Sequence, residues 1–220
     1  MTHDGTATPR SSRGRRASRP TGDDRELDIL ATAAKLLQER ALSEISIDDL
    51  ARGAGISRPT FYFYFRSKDA VLLTLLDRVT EEISEAVTGE FDRLREDPVR
   101  YWRECLVATH TTYGAHRSVL AAAVEAGRTS AEVRRWRSDM KEIWITRTTL
   151  AIEAERARGT APPGPRARDL AIALNAMNDS VFYATLTGDE PAVPASDAVE
   201  TLLHIWLTTI YQTARPTSTA

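Results

Sequence analysis

The sequence lacks several features whose absence excludes whole classes of protein. It has a single cysteine, Cys105, so it cannot form an internal disulfide framework. No apolar run approaches the ~20 residues that a membrane-spanning helix needs. The N-terminal segment is polar and arginine-rich, without the apolar stretch that is typical of a signal peptide. These absences predict a cytoplasmic protein that has no contact with a membrane.

Motifs for catalysis and for metal binding are also missing. None of the four histidines stands in the Glu-x-x-His spacing of a carboxylate-bridged metal site. There is no Gly-x-Ser-x-Gly nucleophile elbow, and the loop from Gly159 to Pro165 lacks the lysine and the strand of a phosphate-binding loop. Cys105 lies in a helical pattern, where a small core residue is commoner than a nucleophile. We therefore predict no enzymatic activity, no cofactor and no metal.

A helix-turn-helix pattern lies between residues 46 and 68. Ser46 is a predicted N-cap, followed by an acidic first turn. The apolar stripe of this short helix comprises Ile47, Leu50, Ala51 and Ala54. Gly55 supplies a tight turn, Ser57 caps the next helix and Pro59 lies in its first turn. With an amphipathic helix over residues 24–39, these elements predict a three-helix DNA-binding module.

The second short helix bears the residues that we predict to contact DNA. Its five alternating aromatic residues face both the core and the outside. Phe61 and Phe65 are predicted core residues, whereas Phe63 could either pack or touch thymine methyl groups. Thr60 and Tyr62 are predicted to contact base edges or sugars. The complete set is Ser57, Arg58, Pro59, Thr60, Tyr62, Phe63, Tyr64 and Lys68, with Tyr64 and Lys68 assigned to phosphates.

An arginine-rich arm precedes this module. The net charge of the chain is −2, so the positive charge that binds DNA has to be local. Arg13, Arg15 and Arg16 lie among serine, glycine and proline, and we predict a disordered arm over residues 1–22 that contacts the DNA backbone or minor groove. The alternative is a solvated tail without a function. Only three of the 29 basic residues are lysine, a bias that indicates a GC-rich, actinobacterial genome.

The rest of the chain has helical periodicity without strand-like alternation, so the predicted fold class is all-α. One long helix is predicted to begin after Ser67 and to continue to Glu96, and segments rich in proline and glycine separate the helices that follow. We predict a helix-turn-helix DNA-binding domain over residues 23–67. A larger helical domain for ligand binding and dimerisation follows over residues 68–214, with a tail over residues 215–220.

Residues 24–76 resemble the DNA-binding domain of the TetR family of bacterial transcriptional regulators. The shared pattern is a Gly-Ile-Ser turn, Thr-Phe-Tyr, a second aromatic pair and Ser-Lys, found here from Gly55 to Lys68. Patchier similarity to mycobacterial members continues to residues 204–206. The resemblance implies about nine helices and a homodimer that binds a palindromic operator. It implies a repressor that a small molecule releases from DNA, with an activator of the same family as the alternative.

Aromatic and amide side chains in the larger domain form the second candidate site. Asn175 and Asn178 interrupt an apolar helix, where amides are costly without partners. Aromatic walls with a few polar groups are typical of small-molecule pockets, although ordinary core packing leaves the same pattern. The resemblance favours a pocket for a small apolar effector. Its expected lining is Trp102, Leu106, Thr109, Tyr113, Met140, Trp144, Thr148, Asn175, Asn178, Phe182 and Trp206.

Three positions depart from the family pattern. Related regulators place apolar side chains where this chain has Thr109, Arg137 and Lys141. A charged wall would narrow the pocket or select a ligand with an acidic group. Alternatively the long helix is shifted, so that Trp136 and Met140 take over those contacts. The sequence leaves open whether Arg137 and Lys141 line the pocket.

Apolar residues cover more than one face of the last helix. We expect one stripe of them to be buried in a two-fold homodimer, which would space two recognition helices by about one DNA turn, ~34 Å. The residues concerned are Val199, Leu202, Leu203, Ile205, Trp206 and Ile210. The rival to a regulator is a helical carrier of small molecules or lipids without sequence-specific DNA binding.

Overall fold

The computed structural model describes residues 22–87 and 91–213, and all regular secondary structure in this part of the chain is helical. The predicted all-α class is confirmed. The helices are α1 Gly22–Glu39, α2 Ile47–Gly53, α3 Arg58–Tyr64, α4 Lys68–Val87, α5 Phe91–Glu96, α6 Pro98–Ala115, α7 Arg117–Ala126, α8 Ala131–Ala157, α9 Ala167–Thr187 and α10 Ala198–Tyr211. A 3-10 turn, Leu42–Glu44, lies between α1 and α2. The predicted tail and nearly all of the predicted arm, including Arg13, Arg15 and Arg16, lie outside the described residues.

Ten α-helices therefore replace the nine that were expected, among the residues described. The additional element is α5, because the helix predicted to run to Glu96 is divided: α4 ends at Val87 and α5 begins at Phe91. Gly89 lies between them in the sequence, and glycine has a low helix propensity. The next boundary is where the sequence placed it, since Asp97 is the N-cap of α6 and accepts a hydrogen bond from the Arg100 N–H at 2.9 Å.

The helix-turn-helix forms with the predicted caps. Ser46 and Asp49 make a reciprocal capping box at the start of α2. Gly55 has φ +65°, in the left-handed region that glycine tolerates best, so the chain can reverse between α2 and α3. Ser57 caps α3 by accepting a hydrogen bond from the Thr60 N–H at 3.2 Å. The local sequence thus determines the crossing of the two short helices.

One continuous core joins the helix-turn-helix to the elements that follow it. Buried side chains of α1 to α3, such as Leu30, Leu50 and Phe61, pack with Leu72 of α4 and Val119 of α7. The predicted domain boundary at residue 67 therefore falls within a shared core, and the division into domains stays a prediction. A second core unites α5, α6, the end of α8, α9 and α10.

The 3-10 turn is held from both sides by charged side chains, an arrangement that we call the clasp (Leu42–Glu44, Lys68 and Glu125). Lys68 donates to the carbonyls of Leu42, Ser43 and Ile45, at 2.7, 3.3 and 3.1 Å. On α7, Glu125 accepts hydrogen bonds from the N–H groups of Leu42 and Ser43, each at 3.2 Å. The clasp therefore ties the DNA-binding helices to α7.

The predicted dimer stripe on α10 is largely buried within its own chain. Leu202, Leu203, Trp206 and Ile210 are at most 4% exposed, because α6 and α9 pack against this helix. Val199 and Ile205 of the same set are half-buried, so these six residues do not by themselves require a partner, and the homodimer stays a prediction. Exposed apolar side chains of the larger domain include Val107 of α6, Ile143 and Leu150 of α8, and Ile172 of α9. Among the described helices, none combines the length and apolar character that crossing a bilayer requires.

We expect Glu125→Gln to loosen the clasp. The hydrogen bond from the Ser43 side chain, then those from the backbone of Ser43 and Leu42, hold the pKa of Glu125 below its usual value. A lowered carboxyl pKa stabilises the fold above pH ~4.5, and this contribution is lost as the pH falls through the folded-state value. Glu125→Gln should therefore lower Tm at pH 7 and speed amide exchange at Leu42 and Ser43, with a smaller loss at pH 4.

The matched control is Glu81→Gln, an exposed carboxyl on α4 outside the clasp. It should leave Tm and the two amides unchanged. Equal exchange rates at Leu42 and Ser43 in Glu125→Gln and the unmodified chain would contradict the clasp.

Candidate DNA-binding helix and ligand cavities

The outer face of α3 presents an unusual set of side chains to solvent. Phe63 is 83% exposed and Tyr62 is 46% exposed, whereas Phe61 and Phe65 are buried and fix the helix to the core. Phe61 and Phe65 are thus core residues as predicted, and Phe63, whose position the sequence left open, lies outside the core. Exposure of a phenyl ring to water is unfavourable, so a partner that covers this face would gain free energy by removing the ring from water. The exposed set also includes Ser57, Arg58, Pro59 and Thr60, with Tyr64 half-buried.

Arg58 is already engaged by its own chain. Its guanidinium donates to Asp48 at 3.1 Å and to the Tyr62 hydroxyl at 3.5 Å, and it lies 5.9 Å from the centre of the Tyr62 ring. The hydrogen bond to Tyr62, followed by the charge of Asp48, raises the pKa of Arg58. The arginine therefore keeps its charge and lies along the exposed edge of α3, at an ion pair that is open to solvent.

Lys68 does not fit its predicted role as a phosphate contact. An ammonium group has three donors, and the clasp directs them at three main-chain carbonyls. No local pattern indicates these contacts, because the carbonyls lie in the 3-10 turn and its C-cap, 23 to 26 residues earlier in the chain. Lys68 is therefore half-buried, and its ammonium group is held by the backbone of its own chain.

A cavity of about 230 Å³ lies in the larger domain, enclosed by helices α4, α6, α8, α9 and α10. Nine of the eleven predicted ligand residues line it: Trp102, Leu106, Thr109, Tyr113, Trp144, Thr148, Asn175, Asn178 and Trp206. The rings of Trp102 and Trp206 lie 4.9 Å apart, between centroids, at one wall. We call this the aromatic cavity.

The two amides of the aromatic cavity are only partly satisfied by the protein. Asn178 Oδ1 accepts from the Trp206 indole N–H at 3.0 Å. Asn175 Nδ2 donates to Thr148 Oγ1 at 3.1 Å and to the Ala171 carbonyl at 2.8 Å. Within the described residues, the Asn175 carbonyl and the Asn178 amino group have no hydrogen-bond partner. One acceptor and one donor thus remain for a bound molecule.

A second cavity, of about 450 Å³, adjoins the first and shares Ile83, Tyr113, Trp144 and Asp179 with it. Met140 lines this cavity and not the aromatic one. The question left open by the sequence has a definite answer, because Arg137 and Lys141 line the second cavity together with Trp136 and Met140. We call it the basic cavity.

Phe182 was wrongly predicted to line the pocket. It is fully buried behind the aromatic cavity, where its ring packs against His110 at 5.2 Å and Tyr113 at 6.2 Å. Its position on α9, four residues after Asn178, places it on the same helix face but deeper in the core. It supports the wall without reaching the space.

Several lining residues were missed by the sequence analysis. Tyr101, Cys105 and Arg147 line the aromatic cavity, and Asp179 lines both cavities. Tyr101 and Cys105 could have been found from helical spacing. They lie eight and four residues before the predicted lining residue Thr109, and therefore on the same face of α6. Asp179 was overlooked because the adjacent Asn178 had been chosen as the polar lining residue. Burial raises its pKa, against the opposing charge of Lys141 and the hydrogen bond from the Tyr113 hydroxyl at 3.2 Å.

Family models match both parts of the chain. Residues 29–75 match the model described as "Bacterial regulatory proteins, tetR family", and residues 102–212 match "Transcriptional regulator EthR, C-terminal domain". The HTH-type transcriptional regulator EthR of Mycobacterium tuberculosis is 50% identical over 204 residues, which cover 90% of this chain and 93% of that protein. The chain belongs to the TetR family. Its EthR-like sequence makes it a transcriptional regulator and not an enzyme.

Solved structures of transcriptional regulators and of AibR share the fold. A TetR-family regulator from Syntrophomonas wolfei str. Goettingen superposes with a TM-score of 0.71 at 18% identity, over 86% of this chain and 96% of that chain. AibR, solved in complex with isovaleryl coenzyme A and operator DNA, gives a TM-score of 0.59 at 14% identity, over 85% and 98%. The TetR-family arrangement of a helix-turn-helix followed by a helical domain is therefore confirmed.

We expect Lys68→Ala to act on stability. Loss of hydrogen bonds from a charged donor should cost about 1–3 kcal/mol and lower Tm. The slope of log K against log salt for DNA binding should stay unchanged, because no phosphate contact is lost. Lys35→Ala, an exposed lysine of α1, is the control and should alter neither quantity. A slope reduced by about one unit with Tm intact would restore the phosphate assignment.

Cys105 should be a slow nucleophile in the folded protein. Burial raises its pKa to about 11, so the thiol is protonated at neutral pH. The rate of alkylation by iodoacetamide should keep rising from pH 9 to pH 10 in the folded chain. In urea it should level off near the ordinary thiol value, about 9. A folded-state rate that levels off at or below pH 9 would contradict this pKa.

Proposed function

We propose that this TetR-family member is a cytoplasmic, ligand-responsive repressor, which binds a palindromic operator as a homodimer and is released when a small, mainly apolar molecule enters the larger domain. The observation that carries the proposal is the presence, in one chain, of an exposed aromatic face on α3 and a partly unsatisfied aromatic cavity. A carrier protein would need only the cavity, and it would not require an exposed Phe63.

The DNA contacts follow from the exposed face of α3. Thr60 and Tyr62 contact base edges or sugars, and Phe63 covers thymine methyl groups. Ser57 and Arg58 contact phosphates at the start of the helix, with Pro59 beside them and Tyr64 at the far end. Arg13, Arg15 and Arg16 of the N-terminal segment add sequence-independent affinity. Exposure of these α3 residues supports the proposal, as does the complex of AibR with operator DNA.

The homodimer is proposed to use α8 and α9. Ile143 and Leu150 are seven residues apart on α8 and therefore share a face, and Ile172 lies on the adjacent α9. These side chains are 42%, 50% and 43% exposed. Burial of all three in a two-fold contact would remove apolar surface from water and place the two copies of α3 for one operator.

Release from DNA is proposed to pass through α7 and α4. Arg117, Leu120 and Val124 of α7 line the basic cavity, and the next residue, Glu125, belongs to the clasp. Trp136 of α8 also lines this cavity and donates to Asp77 of α4 at 2.6 Å. A ligand that favours one placement of these helices would shift the DNA-binding module, by no more than its difference in affinity between the two states allows.

The test is fluorescence anisotropy with the duplex upstream of the protein's own gene, against a scrambled duplex of equal length, over a salt series. The native duplex should bind at least a hundredfold more tightly, with protomers in multiples of two. Phe63→Ala should weaken only the native duplex, by about tenfold, since each lost base contact costs ~1–3 kcal/mol. Leu27→Ala, another exposed apolar side chain, is the control. Absence of binding to both duplexes at low salt would overturn the proposal.

A further inference from the structure

The basic cavity differs in charge from the aromatic cavity beside it. Its lining includes three cationic side chains, Arg117, Arg137 and Lys141, and two carboxylates, Asp179 and Asp189. The remainder is mainly apolar or aromatic, with a few hydroxyl groups. The wall thus has one more positive than negative charge when these groups are in their usual ionised states.

These cations are weakly paired within the protein. Lys141 and Asp179 form a long ion pair, with Nζ to Oδ2 at 4.0 Å. Arg117 and Arg137 have no ion-pair partner among the described residues. Arg137 packs against Gly127, where a Cβ would lie 3.1 Å from its Nη1, so the absence of a side chain there makes room for the guanidinium.

The geometry places the charges within reach of one molecule that also occupies the aromatic cavity. Arg137 and Lys141 are four residues apart and share one face of α8. Trp144, which lines both cavities, lies almost one turn further along the same helix. An elongated ligand can therefore lie along α8 with one end among the tryptophans and the other beside the cations.

We propose that the basic cavity binds the carboxylate of the effector, while the aromatic cavity holds its apolar body. The effector is then an amphipathic monocarboxylic acid. Arg137 donates to the carboxylate through its planar fork, and Lys141 supplies a second charge that is free to leave its long contact with Asp179. This inference rests on the proposed ligand response and specifies the chemistry of the ligand.

The balance of charge favours a monoanion. One carboxylate neutralises the single excess positive charge of the wall, whereas a phosphate monoester would add a second negative charge beside Asp179 and Asp189. A neutral ligand of the same shape would leave two arginines in the cavity without an ion partner. A cationic ligand would be repelled by all three basic side chains.

The experiment compares decanoate, 1-decanol, decylammonium and decyl phosphate by isothermal titration calorimetry, on the full chain without DNA at pH 7.5. Decanoate should bind about tenfold more tightly than decanol, since a hydrogen-bonded charge contributes at least ~1.5 kcal/mol. Decylammonium should bind more weakly than decanol, and decyl phosphate no better than decanoate. Decanoate should also quench tryptophan fluorescence, because all four tryptophans line one or both cavities.

The variants Arg137→Met and Lys141→Met should each remove most of the preference for decanoate and leave the decanol affinity unchanged. Lys141→Gln is a second, milder change at an exposed position, and it should act in the same direction. Arg135→Met is the matched control, because this arginine is exposed on α8 and lines neither cavity. It should keep the preference intact.

Equal binding of decanoate and decanol would overturn the proposal, as would a preference that survives in Arg137→Met, Lys141→Met and Lys141→Gln. Binding of decyl phosphate more than tenfold tighter than decanoate would overturn the assignment of a monocarboxylate. These titrations contain no DNA, so their failure would leave operator binding untouched. Conversely, loss of operator recognition in the anisotropy test would not alter the order of the four ligands.

Discussion

The clasp is the interaction on which the connection between the two parts of the molecule depends. A 3-10 turn leaves main-chain groups unpaired at both ends, and here one end is satisfied by the Lys68 ammonium and the other by the Glu125 carboxylate. Because the two side chains come from α4 and α7, the turn cannot move without both helices. The first core, which contains residues of α1 to α4 and α7, reinforces the same link with apolar contacts. The DNA-binding helices α1 to α3 are therefore packed directly against α4 and α7.

The two cavities differ in the chemistry of the side chains that line them. The aromatic cavity offers rings, two half-satisfied amides and equal numbers of basic and acidic side chains, Arg147 and Asp179, whereas the basic cavity has an excess of basic side chains. Both are bounded by α8, whose residues 133 to 155 alternate between buried contacts with α4, α7 and α9 and positions that face the cavities. A single long helix therefore aligns an apolar site, a cationic site and the Trp136–Asp77 hydrogen bond that reaches α4. Nothing in the local sequence requires these three features to lie along one helix.

Sequence reasoning succeeded where a feature depends on neighbours in the chain. The caps of Ser46 and Ser57, the turn at Gly55 and the burial of Phe61 and Phe65 are all short-range, and each was predicted, whereas the position of Phe63 was left open. It failed at long range. Lys68 meets carbonyls from a turn more than twenty residues away, and the stripe on α10 is covered by helices that no periodicity identifies. For the same reason the pocket residues were found as a set, while their separation into two cavities was not.

The ion pair between Arg58 and Asp48 has a consequence for how the protein searches a genome. The arginine nearest the start of α3 is offered an internal carboxylate before it meets any phosphate. With the phosphate contact proposed for Arg58, binding to DNA would exchange one ionic partner for another, so the free energy gained from an arbitrary backbone would be smaller than for an unpaired arginine. Only a site that also covers Phe63 and Tyr62 adds to that exchange. If Arg58 contacts phosphate as proposed, Asp48 would shorten the time that the protein spends at DNA other than its operator.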